Sequence, residues 1–266
     1  MNKTNDLIQK GKLTEAIEYT KKQLQMEPKA QDLRSRFVEL LCIDGQLERA
    51  DKQLSLLIKQ HPECLIGGSN LRLLIRAAQA RFDFSEGAAT ATLVHEVDES
   101  FETLVRIRLA MRENDDEELK SNALLLENIR QDIAIRINGQ QCELVRDLDD
   151  SLAGYLEVFG TNGKYYLVPF NALENMQLKP VTSLVELVWR KAKVEIKGGL
   201  SGEAFIPMTY LASNSDELKL GRETDWLSVR KTDVYIGAGQ KMFLCGDEAK
   251  ALSQITHLQI TEDEMA

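Results

Sequence analysis

The order of apolar and polar positions divides the chain into two parts. Up to about residue 130, apolar residues recur every three or four positions, which is the spacing of amphipathic helices. The first such stripe consists of Leu13, Ala16, Ile17, Thr20 and Leu24. It ends before Pro28, which lacks the amide hydrogen that a helix interior requires. From residue 133 onward apolar and polar residues alternate, so the second part is predicted to form strands.

A sequence repeat organises the helical part. Residues 11–16 (GKLTEA) recur as residues 45–50 (GQLERA), and Pro28 recurs as Pro62, so each feature returns after 34 residues. A period of about 34 residues is typical of tetratricopeptide helix pairs. No third copy follows in register, because residues 79 and 84 are Gln and Phe. The first part therefore resembles a short tetratricopeptide array.

Three further helices are predicted after the repeat, at residues 71–82, 99–112 and 115–130. Asn114 or Asp115 would cap the last of them, and the acidic residues of its first turn suit the positive end of the helix dipole. The acidic run at residues 113–118 could alternatively bind a cation, but a capped and solvated helix start is the favoured interpretation.

Two Asn-Gly pairs mark turns in the second part. Asn138-Gly139 follows the alternating residues 133–137, and Asn162-Gly163 follows residues 155–159. Because Asn-Gly adopts the left-handed turn that joins antiparallel strands, each pair predicts a β-hairpin. The remaining predicted elements are a short helix at 183–188 and strands at 189–196, 204–206 and 241–244.

The predicted fold class is α+β. Short strands joined by hairpin turns indicate an antiparallel sheet, curled or barrel-like, rather than a parallel array of alternating strands and helices. We therefore expect a tetratricopeptide-like helical superhelix at residues 1–131. A mostly antiparallel, barrel-like domain with short helices is expected to follow at residues 132–266.

Composition and charge narrow the function classes. Hydrophobic residues make up 43% and charged residues 28% of the chain, as in ordinary soluble globular proteins. The formal net charge of −9 has the sign opposite to that of a nucleic-acid binder. The sequence has no apolar run long enough to span a membrane, and its polar start does not resemble a signal peptide. We expect a cytoplasmic protein that binds neither nucleic acid nor membrane.

Few residues suggest chemistry. The four cysteines contain no CxxC pair and the three histidines no metal-binding spacing, so free, mostly buried thiols and no metal site are expected. Residues 237–239 (GAG) are followed by Met242 where a dinucleotide fingerprint has its third glycine, and they are predicted to form a turn rather than a phosphate site. No serine lies in a GxSxG motif. We therefore predict no catalytic residue and no cofactor.

Three neighbouring carboxylates, those of Asp147, Asp149 and Asp150, provide the alternative. Such a group could hold a divalent cation in a metal-dependent hydrolase or modifying enzyme. They lack the spaced ligands and the glycine of a calcium loop, so a solvated turn with local caps is favoured. A structural adaptor that acts by oligomerising is a third functional class.

A partner-binding groove could lie in either part. Stacked helix pairs leave a concave face that takes up a partner's helix or extended peptide. The candidate rim charges of such a face are Arg34, Arg72 and Arg76. Alternatively the sheet domain holds the partner, since Trp and Arg are frequent energetic anchors at interfaces. The candidates there are Trp189, Arg190, Arg222 and Trp226, unless the tryptophans lie in the core and the arginines pair with carboxylates.

Several strings resemble those of the ImpE/TagJ family, accessory proteins of bacterial type VI secretion. They are residues 40–51 (LLCIDGQLERAD), 137–139 (ING), 162–170 (NGKYYLVPF), 187–190 (LVWR), 206–207 (IP), 220–226 (LGRETDW) and 239–242 (GQKM). The resemblance covers about residues 10–245. It implies a cytoplasmic, non-catalytic protein that binds the amino-terminal helix of the small subunit of the contractile sheath. It also implies a link to the AAA+ ATPase that disassembles the contracted sheath.

Overall fold

The computed structural model describes residues 3–199 and 201–260, so residues 1–2 of the first predicted domain and residues 200 and 261–266 of the second lie outside it. The described residues form eight α-helices: α1 (Lys3–Gln9), α2 (Leu13–Met26), α3 (Gln31–Ile43), α4 (Leu47–Gln60), α5 (Leu65–Ser85), α6 (Glu99–Glu113), α7 (Asp116–Ile129) and α8 (Asp216–Lys219). None of these helices is both long and apolar enough to cross a membrane.

The same residues form fourteen strands: β1 (Thr92–Leu93), β2 (Ile135–Ile137), β3 (Gln140–Cys142), β4 (Val145–Asp147), β5 (Tyr155–Gly160), β6 (Tyr165–Pro169), β7 (Leu173–Leu178), β8 (Trp189–Ile196), β9 (Ser201–Pro207), β10 (Thr224–Ser228), β11 (Tyr235–Gly239), β12 (Met242–Cys245), β13 (Glu248–Ala251) and β14 (His257–Ile260). Four 3₁₀ turns lie between them or between helices, and Val185–Leu187 is the predicted short helix.

Helices α1 to α5 pack against one another in chain order, and α6 packs against α7. The predicted tetratricopeptide-like arrangement is confirmed, with α2 and α4 as equivalent helices of the two sequence repeats. Each begins two residues after a glycine, Gly11 or Gly45, whose φ is 77° or 80°. A residue in this left-handed conformation ends the preceding helix, which explains why the repeat carries glycine at this place. Asp115 caps α7 as predicted, by accepting a hydrogen bond from the backbone of Glu118.

The strands form one large sheet and two small ones. Nine strands lie side by side in the order β1-β6-β5-β9-β8-β7-β14-β2-β3, and all pairs except β1–β6 are antiparallel. Strands β10 and β11 form a hairpin, and β13, β12 and β4 form a third sheet. The mostly antiparallel sheet is confirmed, but it does not close into a barrel within the described residues. Helices and the third sheet cover its faces, so it can bury apolar residues without curling onto itself.

Both Asn-Gly hairpins are present. Asn138 and Gly139 have positive φ, 50° and 87°, and connect β2 to β3. The second pair lies in the turn between β5 and β6. Residues 237–239, in contrast, belong to strand β11, so the turn predicted there is wrong. Glycine is required because a Cβ at Gly237 would overlap the ring of Tyr210.

The large sheet has a different core on each face. On β5, Tyr155 and Phe159 belong to the core that includes the helices, whereas Leu156 and Val158 belong to the core that includes the third sheet. Helix α5 packs directly against β5 and β6. The helical part and the sheet part therefore share one apolar core.

Helix α8 connects the sheet part to the two repeats through polar contacts beside the turns at Gly11 and Gly45. The carboxylate of Asp216 accepts hydrogen bonds from the backbone N–H and the hydroxyl of Thr14, at 2.8 and 2.7 Å. Lys219 pairs with Asp44 at 2.8 Å. Asp216 thus caps α2, which has no cap of its own, and Lys219 binds at the carboxyl end of α3.

Gly239 in β11 provides a test of the close packing between this strand and the backbone of Glu223. Gly239→Ala is expected to lower the free energy of unfolding by more than about 3 kcal/mol, because its Cβ would overlap the carbonyl oxygen of Glu223 at a positive φ. Gly246→Ala is the matched control, since it also has positive φ but open space around it, and should cost about 1–2 kcal/mol. Urea denaturation measures both. Equal losses would contradict the close approach at Gly239.

Candidate protein-interaction site

Four buried charged side chains meet where α5 packs against the sheet. Arg81 comes from α5, Glu157 from the middle of β5 and Asp147 from the end of β4, while Lys241 directly precedes β12. We call these four residues the junction cluster. Each is at most 6% exposed. Both parts of the chain thus contribute to one buried ionic network.

Short contacts join the members of the junction cluster. Arg81 donates two hydrogen bonds to the carboxylate of Glu157, at 2.7 and 2.6 Å, and a third to the carbonyl oxygen of Thr209 at 3.0 Å. Lys241 Nζ lies 2.6 Å from Asp147 and 3.0 Å from Glu157. Two cations therefore neutralise two carboxylates, which is what burial of these groups requires.

Two tyrosine hydroxyls complete the network. Tyr165 donates to Glu157 at 2.7 Å, and Tyr210 donates to Asp147 at 2.7 Å. Lys241 Nζ also lies 4.5 Å from the centre of the Tyr210 ring, a cation–π contact. Tyr210 follows β9, so the network extends into the loop between β9 and α8.

The surroundings fix the protonation of the network. Burial alone would raise the pKa of Glu157, but the positive charges of Arg81 and Lys241 outweigh it and hold that pKa well below its ordinary value. Burial raises the pKa of Asp147, and Lys241 offsets part of the effect. Burial, reinforced by the charge of Asp147, raises the pKa of Tyr210 far above its ordinary value. Glu157 is therefore ionised and Tyr210 protonated at neutral pH.

Protein donors engage all three aspartates that suggested a metal site. Asp147 belongs to the junction cluster, and Asp149 accepts a hydrogen bond from the backbone of Gly237 at 3.1 Å. Asp150 pairs with Arg146 at 2.7 Å. Asp147 and Asp149 are buried, so the predicted solvated turn is wrong for these two residues. In the described part of the chain, no group of three or more His, Cys, Asp or Glu is placed to hold a metal ion.

Two cavities open beside the junction cluster. The first, of about 280 Å³, lies between α3, α5 and β8, and the second, of about 200 Å³, lies between α5, α6 and β11. Arg81, Phe82, Tyr210 and Leu211 line both cavities, which therefore adjoin. We call the two cavities together the junction cleft. Phe82 and Leu211 are 48% and 43% exposed there, so two large apolar side chains are available to a partner.

The three arginines predicted as rim charges differ in environment. Arg34 is buried and donates to a side chain of α4 and to the carbonyl oxygen of Pro28, so the rim position predicted for it is wrong. Arg72 is half-buried and pairs with Asp51 at 2.5 Å. Arg76 is exposed. None of the three lines the junction cleft.

The two tryptophans differ in their burial and in their relation to the junction cleft. Trp189 is buried, packs edge-on against Phe159 with ring centres 5.8 Å apart, and lines the first cavity. Trp226 is 37% exposed, and its ring centre lies 5.9 Å from that of Tyr210. The structure thus places Trp189 in the wall of the junction cleft, whereas Trp226 contacts Tyr210 without lining either cavity.

The two arginines predicted together with the tryptophans donate to backbone oxygens rather than to carboxylates. Arg190 donates to the carbonyl oxygen of Glu186 at 3.0 Å, and burial lowers its pKa. Arg222 donates to the carbonyl oxygen of Ile8 at 2.6 Å, near the carboxyl end of α1. Arg222 therefore adds a further polar contact between the sheet part and the helical part.

Sequence reasoning missed the residues that form the cleft. Phe82 and Leu211 lie 129 positions apart and belong to no motif. One signal was available: Glu157 is the only charged residue within residues 155–160, a strand that is otherwise apolar. A charge in such a strand requires a buried partner.

The fold defines a class of protein in which a tetratricopeptide-like array is joined to an antiparallel sheet. The tetratricopeptide repeat profile matches residues 7–80, and the profile described as ImpE protein matches residues 139–259. The type VI secretion system accessory component TagJ of Pseudomonas aeruginosa is 24% identical over 256 residues, which cover 95% of this chain and 89% of that protein. The X-ray crystal structure of protein VPA1032 from Vibrio parahaemolyticus matches with a TM-score of 0.95 and 42% identity over 99% of both chains.

These matches cover both parts of the chain and agree with the strings noted in the sequence. The chain belongs to the ImpE/TagJ family.

The junction cluster provides a pH-dependent test. Glu157→Gln is expected to lower the free energy of unfolding at pH 7 by about 3–5 kcal/mol, because Arg81 and Lys241 remain buried with one counter-charge fewer. The folded-state pKa of Glu157 is depressed, so its contribution is present above the ordinary glutamate pKa of about 4.3 and is lost as pH falls towards the folded pKa.

The stability difference between wild type and Glu157→Gln should therefore narrow between about pH 5 and pH 3. Urea denaturation at several pH values measures it. Glu203→Gln on β9 is the control, because its carboxylate is half-exposed, and should change stability by less than about 0.5 kcal/mol. A difference that stays constant with pH would contradict the assigned charge of Glu157.

Proposed function

We propose that the protein is a non-catalytic adaptor of a type VI secretion system, which binds the amino-terminal helix of the small sheath subunit. The observation that carries this proposal is the likeness to the accessory component TagJ over 95% of the chain. Family resemblance also supports a link to the AAA+ ATPase that recycles the sheath, and action in the cytoplasm.

The junction cleft is the docking site that the geometry supports best. Helix α3 contacts the 3₁₀ turn Val185–Leu187, and α5 contacts β5 and β6, so the sheet part already covers these surfaces of the repeat. The cleft remains open and presents Phe82 and Leu211. An amphipathic helix binds by placing apolar side chains into such a groove. We therefore assign the guest to the boundary between the two parts rather than to either part alone.

The environment of the aspartates supports an adaptor rather than a hydrolase. In the junction cluster, Asp147 accepts from Lys241 and Tyr210. A metal ion there would have to displace buried cations, leaving their charges without a partner. Asp149 serves as an acceptor for backbone N–H groups, which is a structural role.

A binding titration tests the adaptor function. The purified full-length chain is titrated against a fluorescent peptide that copies the amino-terminal helix of the cognate small sheath subunit, with a scrambled peptide as control, and anisotropy is recorded. Saturable binding of the native peptide alone is expected. Absence of binding up to about millimolar concentration, which is weaker than about 4 kcal/mol, would contradict the proposal.

Surface variants test the location. Phe82→Ser with Leu211→Ser is expected to weaken binding at least tenfold, or about 1.4 kcal/mol, by removing both exposed apolar contacts of the cleft. Ile66→Ser is the matched control, because Ile66 is 78% exposed on the same helix but does not line the cleft. Arg76→Ala and Trp226→Ala test the alternative positions. If Arg76→Ala or Trp226→Ala weakens peptide binding while the Phe82→Ser and Leu211→Ser pair does not, the peptide binds outside the junction cleft.

A further inference from the structure

Arg108 on α6 is a charged group that the junction cluster does not use. Its Nη2 donates one long hydrogen bond, of 3.3 Å, to the carbonyl oxygen of Ser151. Its Nε is buried and has no hydrogen-bond partner in the described part of the chain. Because a guanidinium carries five N–H donors, most of the binding capacity of Arg108 is unused.

This arginine lines the second cavity of the junction cleft. Met111, one turn further along α6, lines the same cavity, as do Phe82 and Leu211. Arg108 therefore borders a cavity whose lining is partly apolar and which has exposed apolar side chains at its edge. A guest that enters the cavity meets both kinds of surface.

The carboxylates of the second cavity do not satisfy Arg108. Glu157 is bound by Arg81, Lys241 and Tyr165, and Asp149 accepts hydrogen bonds from backbone N–H groups. The third carboxylate of the lining, Glu86, is exposed and forms no ion pair with Arg108. Arg108 forms no ion pair with a carboxylate among residues 3–199 and 201–260. Apart from the single bond to Ser151, the Nη groups of Arg108 therefore keep N–H donors that a carboxylate of another molecule can accept.

We infer that the junction cleft takes an amphipathic helix bearing a large apolar side chain and, three or four residues away, an acidic side chain that pairs with Arg108. Side chains at this spacing share one face of a helix. The apolar side chain packs against Phe82 and Leu211 between the two cavities. The carboxylate accepts hydrogen bonds from the Nη groups of Arg108, in the two-bond geometry that guanidinium and carboxylate favour.

Charge makes Arg108 a determinant of specificity. The chain has a net charge of −9, so its overall charge disfavours an acidic guest, and the cation of Arg108 provides a local attraction in the cleft. This contact fixes the orientation and register of the guest in the cleft, because a shift along the helix would leave Arg108 opposite an apolar side chain. The inference rests on the proposed function, since it specifies the guest of the same site.

The first measurement compares two arginines of one helix. Binding of the sheath-subunit peptide to Arg108→Gln is expected to be about tenfold weaker than to wild type. Arg106→Gln is the matched control, because Arg106 is exposed, pairs with Glu102 on α6 and does not line the cleft. Thermal unfolding of each variant checks that the fold is retained. Equal affinity of wild type and Arg108→Gln overturns this inference and leaves the proposed function standing.

A charge exchange tests the partner chemistry. Each acidic residue of the peptide is changed in turn to Lys, and each peptide is titrated against wild type and Arg108→Glu. One Lys peptide is expected to bind wild type at least tenfold more weakly than the native peptide, and to regain affinity with Arg108→Glu. If no Lys peptide regains affinity with Arg108→Glu, Arg108 does not pair with a carboxylate of the peptide and the inference fails. If wild type binds no native peptide, the proposed function fails and the inference with it.

Discussion

Burial of the Glu157 carboxylate in an otherwise apolar strand is the constraint on which the rest of the structure depends. An ionised carboxylate is stable there only when cations and hydroxyl groups reach it. Arg81 belongs to α5 of the helical part, and Lys241 directly precedes β12 near the end of the described chain. The fold must therefore bring three distant segments together before this charge is compensated, which couples the two parts of the chain.

The same network shapes the surface beside it. Because the polar side chains of the junction cluster are engaged with one another, the two that line the cleft, Arg81 and Glu157, form a fixed part of its wall rather than binding groups. Phe82 directly follows Arg81, and Leu211 directly follows Tyr210, so the positions of both exposed side chains depend on neighbours held in the cluster. Stability and recognition are linked here through adjacent residues.

Local patterns predicted the local structure well. The 34-residue repeat located α2 and α4, and the two Asn-Gly pairs located their hairpins, because backbone conformation at these places depends on a few neighbouring residues. Pairing between distant segments could not be read in this way. Strand β14 lies between β7 and β2, and the cleft combines α5 with the loop after β9. Arg34 and the buried aspartates were misjudged because a charged residue reveals its burial only through partners that sequence spacing does not show.

The contacts between α8 and the repeat have a consequence for how many repeat units this fold can hold. Free solenoids gain and lose units readily, because each unit contacts only its neighbours. Here Asp216 binds Thr14, just after the glycine turn of the first repeat, and Lys219 binds Asp44, just before that of the second. The two α8 residues lie within a single helical turn. An inserted unit between those turns would carry one anchor beyond reach of the other. The short spacing between Asp216 and Lys219 thus limits the distance between the two turns, and with it the number of repeat units in the array.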